Sequence, residues 1–217
     1  MNRVAILYKG IFGLKRINTK GLKEQVFVDA RENILDHKVK IFDQIKNLGY
    51  EIDFYMSTYN ISDELNSIYN EELSPKACIY LPNEYLKTHS TWQCQLMHYK
   101  NLILELEKQE TLYDFLIFTR PDLKFYQDFN TINLNLDLSK FNIPVQHLSG
   151  NCDDNLFIFP SKFLNKFKEI INILILKNGI THEINHLLDD KLVPINWMSS
   201  YVYENDEFGH NIFSCFR

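Results

Sequence analysis

Tyr113-Asp114-Phe115-Leu116-Ile117-Phe118-Thr119-Arg120-Pro121-Asp122-Leu123-Lys124-Phe125 is the stretch on which the reading of this chain turns. Phe115 to Phe118 is an unbroken apolar run, the pattern of a strand buried on both faces in a parallel sheet. Pro121 has no N–H for a ladder and drives Arg120 into an extended or turn conformation, so the strand ends there. A guanidinium and a carboxylate therefore project together from the carboxyl end of a central strand. In open α/β sheets that edge is where ligands bind. Such a pair suits a ligand that wants a fixed cation and a carboxylate or its metal, for example a nucleoside diphosphate.

Working outward, the 217 residues fit one medium domain spanning 1–217, a size that buries roughly 70% of the unfolded surface. Hydrophobic residues make up 45% and charged residues 24%, as in ordinary folded proteins. The 16 Phe and 12 Tyr predict an aromatic core with rings to spare for ligand stacking. Net charge is 23 − 28 = −5 with no basic block, which argues against nucleic acid as the main partner. Cys78, Cys94, Cys152 and Cys215 show no C-x-x-C spacing, so neither a zinc signature nor a disulfide framework is expected. Strand pattern begins by Val4, leaving no room for a signal peptide. The longest aliphatic run, Ile170 to Leu176, is broken by Asn172 and too short to span a bilayer. Reduced thiols, a soluble chain and a cytoplasmic location are the expectation.

Arg3 to Tyr8 reads as a first strand entering the loop Lys9-Gly10-Ile11-Phe12-Gly13. Residues 14 to 31 are charged and irregular and read as a flap. Ile34, Leu35, Ile41, Phe42, Ile45 and Leu48 recur at helical spacing, with Gly49 as the C′ residue. Ile52 to Met56 is a second strand ending at Ser57-Thr58-Tyr59-Asn60, and Ala77 to Leu81 a short third. Trp92, Leu96, Tyr99, Leu102, Ile103 and Leu106 form an amphipathic helix feeding the Phe115–Phe118 strand. Strands follow at Phe141 to Val145 and Leu156 to Phe159. Pro160-Ser161 opens a helix closed by Asn178-Gly179; His182 to Asp189 is a short helix and Val193 to Tyr203 a terminal strand region. Strand and helix alternate over the first 125 residues, so the fold class is α/β: a mostly parallel central sheet flanked by helices, with a mixed second half.

Three clusters carry chemistry. No P-loop or dinucleotide fingerprint is present, but Lys9 with Gly10 and Gly13 can bring backbone amides near a diphosphate. Arg120-Pro121-Asp122 is the sharpest group, its plain alternative being a surface turn with an ion pair. In Cys152-Asp153-Asp154-Asn155 the adjacent carboxylates point to different sides; one suits a general base or a ligand of sugar hydroxyls, against an Asx-rich turn as the plain reading. His182-Glu183-Ile184-Asn185-His186 matches the zinc-protease pattern His-Glu-x-x-His. A zinc protease needs that motif inside a long helix with a third downstream ligand, whereas here Asn178-Gly179, Asp189-Asp190 and Pro194 crowd it.

With these residues in hand, the chain resembles a small GT-A-type nucleotide-sugar glycosyltransferase, similar to glycosyltransferase-like proteins of bacterial surface-polysaccharide clusters and large DNA viruses. The resemblance is carried by Ala5-Ile6-Leu7-Tyr8-Lys9-Gly10, Thr58-Tyr59, the helix from Gln95, Thr119-Arg120-Pro121-Asp122-Leu123-Lys124-Phe125, Asp153-Asp154-Asn155-Leu156-Phe157-Ile158-Phe159 and His182-Glu183. It implies a single GT-A-like (Rossmann-like) domain that moves a sugar from a nucleotide-diphosphate sugar, such as a UDP sugar, to a glycan or glycoprotein acceptor in polysaccharide biosynthesis. The location implied is the cytoplasm, of the host if the protein is viral. Tyr8, Lys9, Gly10, Thr58, Tyr59, Arg120 and Asp122 are the implied nucleotide-sugar ligands, with Arg120 and either Asp153 or Asp154 in catalysis. Asp122 is the implied ligand of Mn²⁺ or Mg²⁺, with His210 completing the shell. One departure matters: such enzymes present Asp-x-Asp here, and Arg120 replaces the first Asp. Arg120 can instead pair bidentately with the diphosphate, without metal. A glycosyltransferase-fold binding module without catalysis is the alternative reading, and a zinc protease the third.

Overall fold

The structure, a computed structural model, describes residues 2–10, 14–19, 22–27, 31–60, 63–82, 84–146, 149–198 and 213–215. In chain order, β1 (Arg3–Lys9) is followed by the hairpin strands β2 (Leu14–Thr19) and β3 (Leu22–Phe27). Helix α1 (Arg31–His37) passes through a π-helical stretch, Lys38–Phe42, into α2 (Asp43–Asn47). Then come β4 (Glu51–Tyr59), α3 (Asp63–Leu73), β5 (Ala77–Leu81), α4 (Glu84–Thr88), α5 (Thr91–Glu107) and β6 (Phe115–Thr119). The second half runs β7 (Leu123–Phe125), α6 (Phe129–Asn133), β8 (Phe141–Ile143), β9 (Phe157–Pro160) and α7 (Leu164–Lys177). It closes with α8 (Ile184–Asp190), β10 (Ile195–Trp197) and β11 (Phe213–Cys215).

Seven strands form the central sheet in the order β10-β8-β9-β6-β1-β4-β5. β6, β1, β4 and β5 pair in parallel, as do β10 and β8, while β9 runs antiparallel to both its neighbours. The expected mostly parallel sheet with a mixed second half is what the chain builds. β6 is buried along its whole length and so is β1 from Val4 onward, because helices cover both faces. Val4, Ile6, Tyr8, Met56, Phe115 and Ile117 pack on the side of α1, α2 and α6. Ala5, Leu7, Tyr55, Leu116 and Phe118 pack on the side of α5 and α7. There Phe118, Phe141, Phe157, Phe159 and Tyr99 all lie against the Phe167 ring, the aromatic core the composition predicts.

α5 starts cleanly because Ser90 and Gln93 exchange side-chain-to-backbone bonds in a capping box. It leaves the carboxyl edge of the sheet after β5 and runs back to the start of β6. Its first turns therefore lie beside the carboxyl ends of the parallel strands. α7 ends at Asn178, left-handed at φ 52° as a C-cap Asn tolerates.

Three details depart from the sequence expectation. Residues 14 to 31 are not irregular throughout: β2 and β3 pair from Leu14↔Phe27 to Thr19↔Leu22, and α1 begins at Arg31. β4 continues through Tyr59, so Ser57-Thr58-Tyr59 lies inside the strand. Ile34, Ile41, Phe42 and Ile45 are buried as their spacing predicts and His37 joins them, whereas Leu35 and Leu48, the latter at the C-cap of α2, are exposed. Residues 199–203 of the expected terminal strand region lie outside the described residues. Among the described residues no helix is long and apolar enough to cross a membrane.

Candidate active site at the carboxyl edge of the sheet

β1, β4 and β6 are parallel and adjacent, so their carboxyl ends open on one edge. β9 is antiparallel to β6, which brings the segment before it, Asp153-Asp154-Asn155, to the same edge. Gly10 N–H extends the β1–β4 ladder by bonding the Ser57 carbonyl at 3.0 Å. Gly10 takes φ +99°, open to glycine but strained for other residues, and has open space where a side chain would project.

After β6, Arg120 and Asp122 form a two-pronged ion pair. Arg120 Nε donates to Asp122 Oδ1 at 2.8 Å, Nη2 to Oδ2 at 2.5 Å, and Nη1 to Asn155 Oδ1 at 3.1 Å. Arg120 and Asp122 retain 26% and 17% side-chain exposure, so the pair sits at the rim. The next residue is pinned from behind. Leu123 carbonyl accepts from His37 Nε2 at 2.7 Å, while His37 Nδ1 accepts from the Tyr8 hydroxyl at 2.6 Å. Burial pulls the His37 imidazole down to about 4 despite its carbonyl partner, so at neutral pH it is an uncharged strut.

Asp153 and Asp154 are both buried. Asp153 Oδ1 accepts from Asn155 N–H at 2.7 Å, an Asx turn. Asp154 Oδ2 accepts from the Thr181 hydroxyl, which stands 3.1 Å from Gln95 Oε1, and the Asp154 carbonyl accepts from Tyr99 at 2.9 Å. The carboxylates thus do different work, as adjacent residues on an extended segment must.

Lys9 is the unusual member. It is 1% exposed, and among the described residues its Nζ has no hydrogen-bond partner; instead the ammonium lies 4.6 Å from the centroid of the Tyr99 ring. Burial lowers its pKa to about 8; Arg120 acts in the same direction, and Asp154, Asp153 and Asp122 oppose it. Beside it on α5, His98 shares a 2.9 Å hydrogen bond with Ser57 through Nδ1, leaving Nε2 buried without a partner among the described residues. Burial and, secondarily, Lys9 hold the His98 imidazole down at about 3.

Of the sequence-predicted residues, the structure gathers Lys9, Gly10, Arg120, Asp122, Asp153 and Asp154 at this edge. Tyr59 stacks edge-on against His98 at 4.8 Å, on the α5 side. By strand alternation Tyr8 and Thr58 face the opposite side, and Tyr8 spends its hydroxyl on His37. His210 lies outside the described residues. His182 and His186 are not gathered as a zinc pair: their Nδ1 and Nε2 donate to Cys152 carbonyl at 2.7 Å and Asn151 Oδ1 at 3.0 Å. They brace the loop that presents Asp153 and Asp154. Among the described residues no three His, Cys, Asp or Glu side chains come together as a metal site, and both Asp122 oxygens are taken by Arg120. Sequence reasoning missed His37, His98 and Thr181.

The fold that carries this edge is GT-A-like: a mostly parallel, Rossmann-like sheet flanked by helices, with one antiparallel strand inserted beside β6. Among the crystal structures it resembles, at TM-score 0.51, is that of a protein named as a nucleotide-diphospho-sugar transferase from Desulfovibrio desulfuricans G20. The two share 10% identity, over 91% of this chain and 80% of that one. Two crystal structures of the glycosyltransferase GlyE from Streptococcus pneumoniae TIGR4, one of them the apo form, align at TM-score 0.45 with 12% and 11% identity. They cover 89% of this chain, which spans less than half of GlyE at 45% and 44%. No protein-family model and no curated protein matches the sequence. At such identities the likeness shows the fold.

Proposed function

We propose that this chain is a nucleotide-sugar-dependent glycosyltransferase, moving a sugar from a nucleotide-diphosphate donor to a glycan or protein acceptor, with polysaccharide biosynthesis as its setting. The observation that carries the reading is the meeting of Lys9-Gly10, Arg120-Asp122 and Asp153-Asp154 at the carboxyl ends of parallel strands in a GT-A-like fold.

Transfer requires neutralising the charge that develops on the leaving diphosphate. Arg120 is placed for this: it stands at the rim, and its planar fork, now spent on Asp122 and Asn155, is the geometry that phosphate also accepts. Asp154 is the better placed of the two carboxylates for an acceptor hydroxyl or the sugar. Thr181 holds its Oδ2, whereas Asp153 is committed to its own turn. Asp122, beside Arg120, is the candidate ligand of Mn²⁺ or Mg²⁺, which would help hold the donor diphosphate, and no step is routed through such an ion.

The mutual cancellation of Arg120 and Asp122 favours a second reading, a binding module of the same fold that does not turn over. Incubation with UDP, GDP, CMP and dTDP sugars, with and without Mn²⁺, read by thermal shift and by release of nucleotide, separates them. Binding with turnover is the expected result. Binding without turnover, for any acceptor, makes the chain a binding module; no binding at all removes the nucleotide-sugar reading.

A further inference from the structure

Lys9 stands near three carboxylates and pairs with none of them. Among the described residues its Nζ makes no hydrogen bond and no ion pair, although Asp154, Asp153 and Asp122 all act on it electrostatically. A buried ammonium without a partner is costly and is rarely left so by a merely structural lysine. Its neighbours are already committed: Asp122 to Arg120, Asp153 to its own turn, Asp154 to Thr181. Only the face of Tyr99 attends it, and a ring face stabilises a cation without consuming its three donors. His98 Nε2, a second buried polar atom without a partner, belongs to the same face, since Lys9 and Ser57 are register partners and Ser57 holds His98. Gly10, directly after Lys9, has no described atom within 4 Å of the place a side chain would take.

We propose that Lys9 is a cation held in reserve for an anionic phosphate oxygen of the ligand, which enters beside Gly10 and takes the hydrogen bonds that Lys9 does not spend on the protein. The inference rests on the nucleotide-sugar reading and assigns a second cation, besides Arg120, to the diphosphate. The competing account makes Lys9 a plain counter-ion of Asp154. The two differ in sign. A reserved cation burdens the empty protein, so removing it raises stability and weakens binding. A counter-ion supports the fold, so removing it lowers stability and leaves binding alone.

The test compares wild type with Lys9→Met by thermal melting and by calorimetric titration of UDP, GDP, uridine and pyrophosphate. The expected result is a Lys9→Met melting temperature equal to or above wild type and UDP affinity at least about tenfold weaker, with uridine binding unchanged. A second measurement uses wild type alone. An anion settling on Lys9 raises the fraction protonated, so UDP binding near pH 8 must take up protons, seen by titrating in buffers of different ionisation enthalpy. A destabilised Lys9→Met that binds UDP like wild type, or an absence of proton uptake, overturns the proposal while leaving the glycosyltransferase reading in place. Pyrophosphate binding that depends on Lys9 without any nucleoside preference keeps the anion site and removes the nucleotide. Failure of wild type to bind any probe overturns both.

Discussion

Acidification should unfold this protein at a pH where most carboxylates are still ionised, because two imidazoles are folded neutral and fully buried. His37 is held at about 4 and His98 at about 3, against an ordinary value of 6.5. Both folded pKa values lie below the unfolded one, so the stabilisation they report is fully present above pH 6.5 and is lost as pH falls below it. At pH 5 the unfolded chain has gained about 1.5 units of proton affinity per histidine, or about 2 kcal/mol each and about 4 kcal/mol together. That is a large share of the 5–15 kcal/mol that typically separates folded from unfolded chains. The limiting slope is about 2.7 kcal/mol per pH unit, one proton per ring. Urea unfolding at half-unit intervals from pH 7.5 to 5 measures it. His98→Leu should halve the slope, even though freeing Ser57 makes it less stable throughout. Groups such as Asp137, lowered to about 2 by the Ser139 hydroxyl and amide, lose their contribution only below the usual carboxylate range. A stability that stays flat to pH 5 and then falls would therefore refute the buried neutral histidines.

Two further outcomes follow from particular residues. Asp122→Asn should abolish sugar transfer while melting within a few degrees of wild type, since Asp122 sits in a rim loop; if the variant unfolds, Asp122 is structural, and if it keeps full activity the carboxylate has no part in the chemistry. Leu192, left-handed at φ 55° and 91% exposed after α8, is strained with no packing in return, so Leu192→Gly should raise stability by about 0.5–1 kcal/mol in urea titrations, and a loss would show that the backbone at that position carries no strain.

What the sequence makes legible is what repeats along the chain. The runs Val4–Tyr8 and Phe115–Phe118 and the stripes of α5 and α7 announce buried strands and amphipathic helices, and Asn178-Gly179 announces the end of α7. An apolar run carries no direction, however, so Leu156–Phe159 reads as a strand without revealing that β9 runs antiparallel to its neighbours in the central sheet. Periodicity also assumes a uniform helix. The π-helical Lys38–Phe42 breaks that assumption after Leu35, and Leu48 falls at the C-cap of α2, so both look like core residues and are exposed.

The site is legible only where chain-local chemistry shows it. Arg120-Pro121-Asp122 stands out because proline must end the strand, and Asp153-Asp154 because two carboxylates precede an apolar run. The struts behind them are non-local: His37 reaches Leu123 across 86 positions, and Thr181 reaches Asp154 across 27. A trace of both histidines was nevertheless available. His37 lies three residues after Ile34 and four before Ile41, and His98 four before Leu102, so each occupies the apolar stripe of its helix. A histidine on that stripe must be neutral and must find a partner, and in this fold both do so directly behind the carboxyl edge of the sheet. Lys9 was visible as a lysine closing an apolar strand. Its isolation from every nearby carboxylate was not, because that depends on Asp122, Asp153 and Asp154 each being claimed by a residue elsewhere in the fold. The separation of charge at this edge is thus a property of the assembled sheet, with the sequence naming the charges and the topology deciding which of them stay unpaired.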